Sequence, residues 1–383
     1  MNPKDFKAPQ AGRVVKTPQR YHAFVPAPLP PKLTYTPDLV LALSRADAAL
    51  SELAGVGRQL PNPHLLIASY IRREAVLSSR IEGTRTTLSD LLMDEAAGAA
   101  SAATDDVREV RNYVAALEQG IERMKTLPVS LRLVREIHAC LLKGVRGGHA
   151  TPGEFRRSQN WIGPTGSTSE TAPYVPPPPA EMEEALGAWE RFLHDRGTMP
   201  ELIQCALMHE QFEAIHPFLD GNGRVGRLLI TLFLVERGRL PLPLLYLSEY
   251  IEAHREEYYE RLQAVRTRGE WPEWIQYFLD GVATTARKAV DQAASLMDLR
   301  EGLRGKLVEA PRALLLLDEL FQNPYLSVAR AEQVLRVTNP TARKVVGALE
   351  KAGIVQEVTG RAWGRLYLAR PILEAIESSR EGA

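Results

Sequence analysis

A long run of helical periodicity constrains this chain more than any other feature. From Thr36 to Leu303, apolar residues recur at three- and four-residue spacing, as at Leu39, Leu43 and Ala46, the pattern of helices that bury one face. The periodicity is interrupted between Gly153 and Pro179, where two short extended pieces flank a polar turn. We therefore predict a mostly helical fold that carries one short β-hairpin.

The two ends of the chain differ from this helical stretch. Residues 1–35 are rich in proline and basic side chains and have no regular period, so we expect an extended or disordered arm. After Pro311, the pattern predicts a helix, a short helix that Ser327 can cap, and a third helix with Asn339 at the N-cap and Pro340 after it. Two β-type runs follow, and this order is that of a winged helix, a variant of the helix-turn-helix DNA reader.

Composition excludes several classes of function. The chain has 383 residues and a formal net charge of zero, from 47 Lys+Arg against 47 Asp+Glu, which argues against a coat of nucleic acid along its whole length. Two cysteines, Cys140 and Cys205, are too few for a disulfide framework or a four-thiolate metal site. No long apolar stretch or apolar signal core occurs. We expect a cytoplasmic protein that does not contact a membrane.

Positive charge accumulates locally near the C-terminus. Residues 311–370 contain nine Lys/Arg against five Asp/Glu, which favours DNA contact through residues 304–383. Dimerisation or protein contact through the same fold stays open, because a fold alone does not fix a function.

The segment His216 to Arg227, HPFLDGNGRVGR, carries the chemistry. It lies between two helical runs, so its DGNG tetrapeptide is expected to form a helix-to-helix loop, since a hairpin would need alternating strands on both sides. Gly221 and Gly223 allow successive backbone N–H groups to converge on an anion at the start of the second helix.

Charged side chains around this loop suit a nucleotide phosphate. Arg224 and Arg227 are expected in the first turn of the second helix, where a bound polyanion would offset their conflict with the helix dipole. Asp220 supplies an oxygen ligand of the kind that Mg²⁺ accepts together with phosphate oxygens and water. His216 can act as a neutral base near pH 7. The combination indicates phosphoryl transfer from a nucleotide.

The segment resembles the signature of the Fic/DOC family, HxFx(D/E)GNGRxxR, at every position. Upstream, GEFRRSQNWIG and PYVPPPP resemble the family's flap hairpin and proline run. The resemblance implies an all-α Fic fold with a short β-hairpin flap, plus a C-terminal winged-helix (α+β) domain. The regions would be an N-terminal helical region at 36–110, a catalytic core at 111–303 and the winged helix at 304–383.

This resemblance also implies an activity, the transfer of AMP from ATP to a Ser, Thr or Tyr hydroxyl of a protein, the chain itself included. His216 would take the hydroxyl proton, and Asp220 would hold Mg²⁺, with Mn²⁺ as the alternative metal. The residues implied to bind the nucleotide, with Asn222 on the α-phosphate and Arg227 on the γ-phosphate, are Asn222, Gly221, Gly223, Arg224 and Arg227.

A second element bears on regulation. The pattern predicts an amphipathic helix over 63–80, followed by the string SSRIEG, which begins at Ser78. Gly83 suits the position just after the helix, and Glu82 in its last turn would need a cation, because the helix dipole disfavours a carboxylate there. The string resembles the family's inhibitory motif, (S/T)xxxE(G/N), which implies that Glu82 pairs with Arg227 and that Ser78 hydrogen-bonds nearby.

Several hypotheses stay open at this point. Residues 160–174 are the expected docking site for a target protein, because an edge strand can pair with an extended segment, although the hairpin could instead only cover the core. A nucleotide-sensing, DNA-binding regulator is the competing function. A homodimer, removal of AMP with the help of Glu82, and a donor other than ATP are further alternatives.

Overall fold

The computed structural model describes residues 1–59, 64–98, 103–147, 150–361 and 363–377. Its helices are α1 (Pro37–Gln59), α2 (His64–Ile81), α3 (Leu88–Ala97), α4 (Asp105–Arg123), α5 (Leu131–Leu141), α6 (Pro179–His194), α7 (Glu201–Ile215), α8 (Asn222–Glu236), α9 (Ser248–Ala253), α10 (Arg255–Arg268), α11 (Trp271–Gly305), α12 (Pro311–Gln322), α13 (Val328–Leu335), α14 (Asn339–Lys351) and α15 (Arg370–Glu377). Its strands are β1 (Gly12–Lys16), β2 (His22–Pro26), β3 (Tyr325–Ser327), β4 (Gln356–Glu357) and β5 (Leu366–Leu368).

Helices α7 and α8 form the centre of the molecule. Every residue of α7 from Leu202 to Ile215 is buried, as is almost all of α8. Both helices are therefore buried on all sides and lack the one-sided pattern of surface helices, although several of their buried residues are polar or charged. The loop that joins them is fixed at both ends by buried structure. None of the described helices is both long and apolar enough to cross a bilayer.

The N-terminal segment folds into a hairpin that the sequence analysis did not predict. Strands β1 and β2 pair antiparallel from Gly12 opposite Pro26 to Lys16 opposite His22. Phe24 is buried, and its N–H donates to the carbonyl of Val175 at 2.8 Å. The expectation of an extended or disordered arm over residues 1–35 is corrected accordingly, because this hairpin has a covered apolar face.

The expected β-hairpin flap is also corrected. Residues 150–178 contain no strand, and the predicted pair of extended pieces is joined by a single bridge between Ile162 and Tyr174. Prolines at 164 and 173 flank this bridge on its inner side, and a proline has no N–H to extend a ladder. We call residues 159–176 the flap; it is an irregular loop whose ends lie side by side.

The C-terminal segment contains the three predicted helices, α12, α13 and α14, and the two predicted strands, β4 and β5. Ser327 caps α13 through the N–H of Arg330, as the sequence predicts, whereas α14 begins one residue earlier than expected, with Thr338 and not Asn339 at the N-cap. Strand β3 adds a third member to an antiparallel sheet of order β3-β5-β4. The assignment of residues 304–383 as a winged helix stays a prediction.

Helix α2 connects the segments that the sequence analysis separates. The predicted boundary between 36–110 and 111–303 falls inside α4, which packs on both α2 and α5. Helix α2 also packs on α12, and Arg73 donates to the carbonyl of Ile376 at the end of α15 at 3.0 Å. One apolar core cluster runs from Leu39 to Ile376. Helix α2 therefore contacts both the helices of the predicted catalytic core and those of the C-terminal segment.

Replacing Phe24 by alanine should destabilise the hairpin by about 3 kcal/mol, because a buried aromatic ring is lost from a packed cluster. The measurement is limited proteolysis of residues 1–35 together with the melting temperature. Arg13→Ala, on the exposed side of β1, is the control. Equal protease resistance of Phe24→Ala and the parent protein would contradict the hairpin.

Candidate functional site

The six-residue loop between α7 and α8 begins with a histidine in an uncommon backbone conformation. His216 follows Ile215, the last residue of α7, with a φ of 50°, in the left-handed region. A residue with a Cβ pays a steric cost there, and such strain persists only where the surroundings hold it. The conformation ends α7 and turns the imidazole towards the cleft described below.

Helix α8 begins with N–H groups that no side chain of the loop caps. Gly221, with a φ of 78°, is the residue before the helix and makes no side-chain cap. The first N–H groups of a helix have no acceptor within it, and its dipole favours an anion there. Asn222, a predicted phosphate ligand, has its side chain engaged within the loop: the amide oxygen accepts from the N–H of Phe218 and Nδ2 donates to the Phe218 carbonyl, both at 2.8 Å.

Asp220 lies at the exposed turn of the loop, and its carboxylate is oriented by neighbouring backbone. Its Oδ1 accepts from the N–H of Gly221 at 2.6 Å. A Cβ at Gly147 would overlap Oδ2, so the space beside this oxygen depends on a glycine. The carbonyl of Asp220 accepts from Nε2 of His138 at 3.1 Å; Nδ1 of that ring in turn accepts from the N–H of Gly153. Burial lowers the pKa of His138 to about 4, so this ring is a neutral support for the loop.

Arg224 lies in the first turn of α8, and its guanidinium lies close to two carboxylates. Its Nη1 is 3.3 Å from Glu109 of α4, and its Nη2 is 3.6 Å from Asp220. Glu109 is itself buried and also pairs with Arg146. The Nε of Arg224 is buried and has no partner among the described residues. An orphaned guanidinium donor of this kind is costly unless a ligand or water satisfies it.

Arg227 is almost completely buried and is engaged by helix α2. Its Nε donates to the hydroxyl of Ser78 at 2.9 Å, and its Nη2 donates to the Ser78 carbonyl at 2.9 Å and to Oε1 of Glu82 at 2.7 Å. A Cβ at Gly223 would overlap that same oxygen. Ser78, Glu82 and Arg227 thus lie together, the arrangement that the family resemblance implies, and Gly223 leaves room for the carboxylate above α8.

The charge of Arg227 controls the ionisation of Glu82. Burial alone would raise the pKa of this carboxyl, but the attraction and hydrogen bond of Arg227 outweigh it and hold the pKa below its ordinary value. Glu82 follows Ile81, the last residue of α2, and so lies just after the final turn instead of within it. Gly83, with a φ of 96°, reverses the chain there. The Glu82 side chain keeps 36% of its exposure, towards the cleft.

A cleft of about 560 Å³ opens above these residues. Its charged and titratable lining consists of Glu82, Glu213, His216, Arg227, Arg255, Tyr258, Tyr259 and Arg266. Its far wall is the flap, with Trp161, Ile162, Gly163, Pro173 and Tyr174. Oε1 of Glu213 is buried without a partner among the described residues, and burial raises its pKa to about 7. The cleft therefore combines an exposed entrance with polar groups that lack partners.

His216 is neutral in this cleft. Burial, followed by the charges of Arg156 and Arg266, lowers its pKa to about 3. A neutral imidazole can accept a proton, which is what a general base must do. The chemistry that this arrangement permits is proton abstraction beside a site for a polyanion.

Sequence reasoning found the loop but missed the residues that support it. Arg227 lies in the second turn of α8, not the first, because the helix begins at Asn222. The missed supporting residues are Glu109, His138, Arg156 and Asn160. Each is distant in sequence from the group that it contacts, and nothing in its local pattern distinguishes it from a surface or core residue.

The chain matches two family models. The Fic/DOC family N-terminal model matches residues 40–122, and the Fic/DOC family model matches residues 128–234. The protein adenylyltransferase Fic of Aedes aegypti is 31% identical over 157 residues, which are 40% of this chain and 27% of that protein. A probable protein adenylyltransferase of Aquifex aeolicus is 30% identical over 193 residues, 48% of this chain and 54% of that one. The match spans a quarter to about half of these relatives.

Solved structures of Fic proteins share the fold. A Fic family protein from Desulfovibrio desulfuricans G20 superposes with a TM-score of 0.59 at 20% identity, covering 89% of this chain and 98% of that one. Fic-1 of C. elegans superposes with a TM-score of 0.50 at 19% identity, covering 68% and 73%. These likenesses support the Fic fold.

The Glu82–Arg227 pair should make stability depend on pH in a defined direction. Because the pKa of Glu82 is lowered by folding, the pair stabilises the folded chain at neutral pH, and this contribution disappears as the pH falls below about 4.3, the ordinary value for Glu. The difference in melting temperature between the parent protein and Glu82→Gln should therefore be largest near pH 7 and shrink in acid. Glu183→Gln, on the exposed side of α6, should give no such trend.

Proposed function

Residues 40–122 and 128–234 make this chain a member of the Fic/DOC family, and on that premise we propose that it is a protein adenylyltransferase inhibited by its own helix α2. The observation that carries the proposal is Arg227. This buried guanidinium in the second turn of α8 is paired with Glu82, while the N-terminus of the helix and the Nε of Arg224 lack partners among the described residues.

The proposed reaction transfers AMP from ATP to a hydroxyl of a protein. His216 accepts the proton of the Ser, Thr or Tyr hydroxyl, the hydroxyl oxygen forms a bond to the α-phosphorus, and the bond to the β-phosphate oxygen breaks to release pyrophosphate. The positive charges of Arg156 and Arg266 contribute to the low pKa of His216, and the negative charge of a bound triphosphate would counteract them. Substrate binding should thus strengthen the base where it is needed.

The donor set around Asp220 fits Mg²⁺. The described residues contain no group of three or more His, Cys, Asp or Glu side chains that could enclose a metal. Mg²⁺ is usually held by one or two carboxylates, with phosphate oxygens and water as its other ligands. The exposed carboxylate of Asp220 suits this mode, and Gly147 has no Cβ that would overlap its Oδ2. When bound, the metal would neutralise phosphate charge; Mn²⁺ is the alternative. Asp220 would hold it, and Arg224 would bind the phosphate chain.

The engaged amide of Asn222 modifies one expected role. Because its oxygen accepts from Phe218 and one of its hydrogens goes to the Phe218 carbonyl, a single amide hydrogen is left for the α-phosphate. Its main contribution is then to hold the loop in shape. The N–H groups of the first turn of α8, starting after Gly221, would provide the remaining phosphate contacts.

Inhibition follows from competition for one guanidinium. The γ-phosphate would need Arg227, whose hydrogen bonds are directed to Ser78 and Glu82. A carboxylate in this position also repels an arriving phosphate. The protein target would dock on the flap, which forms the cleft wall that includes Trp161 and Ile162. A cytoplasmic location, a homodimer and a role for Glu82 in AMP removal stay predictions.

Glu82→Gly should raise AMP transfer from ATP and Mg²⁺ by on the order of tenfold or more, because Arg227 becomes available to the nucleotide. Adding His216→Ala should reduce that activity by about 10²- to 10⁴-fold. Intact-mass analysis after incubation with each nucleoside triphosphate reports both the transfer and the donor.

Glu309→Gly, at an exposed turn between α11 and α12, is the matched control and should leave activity unchanged. Arg227→Ala in the Glu82→Gly protein should return labelling to the parent level or below. Activity that persists without His216, or a Glu82→Gly protein that is no more active than its parent, would contradict the proposal.

A second candidate function, DNA binding by the C-terminal segment, is favoured by one groove. It has a volume of about 530 Å³ and lies between the start of α14 and the β4–β5 connection. Arg343 and Arg365 line it, Trp363 is 79% exposed beside Arg343, and its described lining contains no carboxylate. Two cations and an exposed ring suit a nucleic-acid backbone and base.

Arg343→Ala should weaken DNA binding of the full chain and reduce the slope of log affinity against log salt by about one. Fluorescence anisotropy with labelled genomic fragments over a salt series measures both quantities. Lys351→Ala, at the opposite end of α14, should change neither. The absence of binding to any fragment at low salt would eliminate this second function.

A further inference from the structure

Arg156 is a buried arginine that serves backbone carbonyls instead of a carboxylate. It is 2% exposed and forms no ion pair with the described residues. Its Nε donates to the carbonyl of His216 at 3.0 Å, and its Nη1 donates to that of Ser158 at 3.2 Å. Its Nη2 donates to the carbonyls of Pro177 at 2.5 Å and Ile215 at 3.4 Å.

Burying the charged guanidinium of Arg156 costs desolvation free energy, which an uncharged side chain in the same place would not lose. Burial opposes the charged form and lowers the pKa of Arg156 to about 10, so the group is still protonated at neutral pH. An apolar side chain could fill the same volume without that cost. The planar, forked donors of arginine can reach several acceptors at once, which an apolar group or a lysine cannot do.

The His216 carbonyl is held from two sides. Nδ2 of Asn160 donates to it at 3.2 Å, in addition to Arg156, and also donates to the Phe218 carbonyl at 2.8 Å. His216 is the residue with the left-handed backbone. Two donors on one carbonyl supply the restraint that such a conformation requires, and they fix the backbone from which the imidazole projects.

The same guanidinium also joins the two ends of the flap. Ser158 precedes the flap and Pro177 follows it, so Arg156 closes the base of this loop while contacting the turn after α7. Only the Ile162–Tyr174 bridge otherwise ties the flap's two sides by backbone pairing within the described residues. Arg156 therefore contacts both ends of the flap and the backbone of His216, while the hydrogen bonds of Gln159 to Pro176 and of Tyr174 to Ala214 each make only one of these connections.

We infer that Arg156 is a positioning residue, which holds the base His216 and the target-docking flap in one fixed relation. This inference rests on the proposed function. It assigns to Arg156 an effect on turnover rather than on nucleotide binding, because the described contacts of Arg224 and Arg227 do not include it. A displacement of about 1 Å between reacting groups can lower turnover by about a hundredfold.

The test uses the Glu82→Gly protein as the active parent and compares kcat with the dissociation constant of ATP and Mg²⁺. Arg156→Lys keeps the charge but cannot span the carbonyls, so kcat should fall at least tenfold while the dissociation constant stays within twofold. Arg157→Lys is the matched control, since that neighbouring side chain is 89% exposed, and it should leave both quantities unchanged.

Hydrogen exchange gives a readout that does not depend on activity. In Arg156→Lys, backbone protection should fall together in residues 158–177 and 215–218. Asn160→Ser, which removes one of the two donors on His216, should lower kcat in the same direction and serves if Arg156→Lys does not fold. An unchanged kcat in a folded Arg156→Lys protein, an equal loss of ATP affinity, or unaltered exchange would each overturn the inference.

Failure of the proposed function would appear differently. The Glu82→Gly parent would then show no transfer that depends on His216, whereas the paired loss of protection in residues 158–177 and 215–218 would still report whether Arg156 joins the flap to the turn after α7.

Discussion

The structure depends on how the charge of Arg227 is accommodated in a nearly dry interior. Leaving a buried guanidinium without its counter-charge costs about 3–5 kcal/mol, so α8 can carry this residue only if an anion reaches it. In the described chain that anion is Glu82, with two further acceptors on Ser78. The requirement fixes where the end of α2 must lie, and thereby where everything packed on α2 lies.

Helix α2 meets that requirement because it is held along its length. The hydroxyl of Tyr70 donates to the carbonyl of Ala289, and Arg73 donates to that of Ile376. Glu74 accepts from Ser248 and from the hydroxyl of Tyr113. These bonds cross to α11, α15, α9 and α4, which are far apart in sequence. The position of Glu82 is therefore a property of the whole helical core and not of the SSRIEG string alone.

The sequence predicted the chemistry of the loop better than its support, for a physical reason. Glycines and charged groups that act on one ligand are close in sequence here, so HPFLDGNGRVGR identifies the loop by itself. Arg156 and Arg157 are adjacent and chemically identical, and only the fold decides that one is buried and the other exposed.

The flap was predicted as a hairpin because extended patterns are easy to recognise, while the effect of prolines on a ladder depends on which N–H groups face the partner strand. The hairpin over residues 12–26 was missed because two five-residue runs give too little periodicity to outweigh a proline-rich setting.

The Glu82 carboxylate, which lies over Gly223 and pairs with Arg227, affects how tightly an anion can bind at this helix. Under the proposed inhibition, an anion would bind Arg227 only in molecules in which the Glu82 carboxylate has moved away, so its measured dissociation constant would be the intrinsic value divided by the fraction of such molecules. Apparent affinity is then set partly by how firmly α2 is packed. A change at Tyr70 or Arg73, remote from the loop, would tighten the binding of a ligand that neither residue touches.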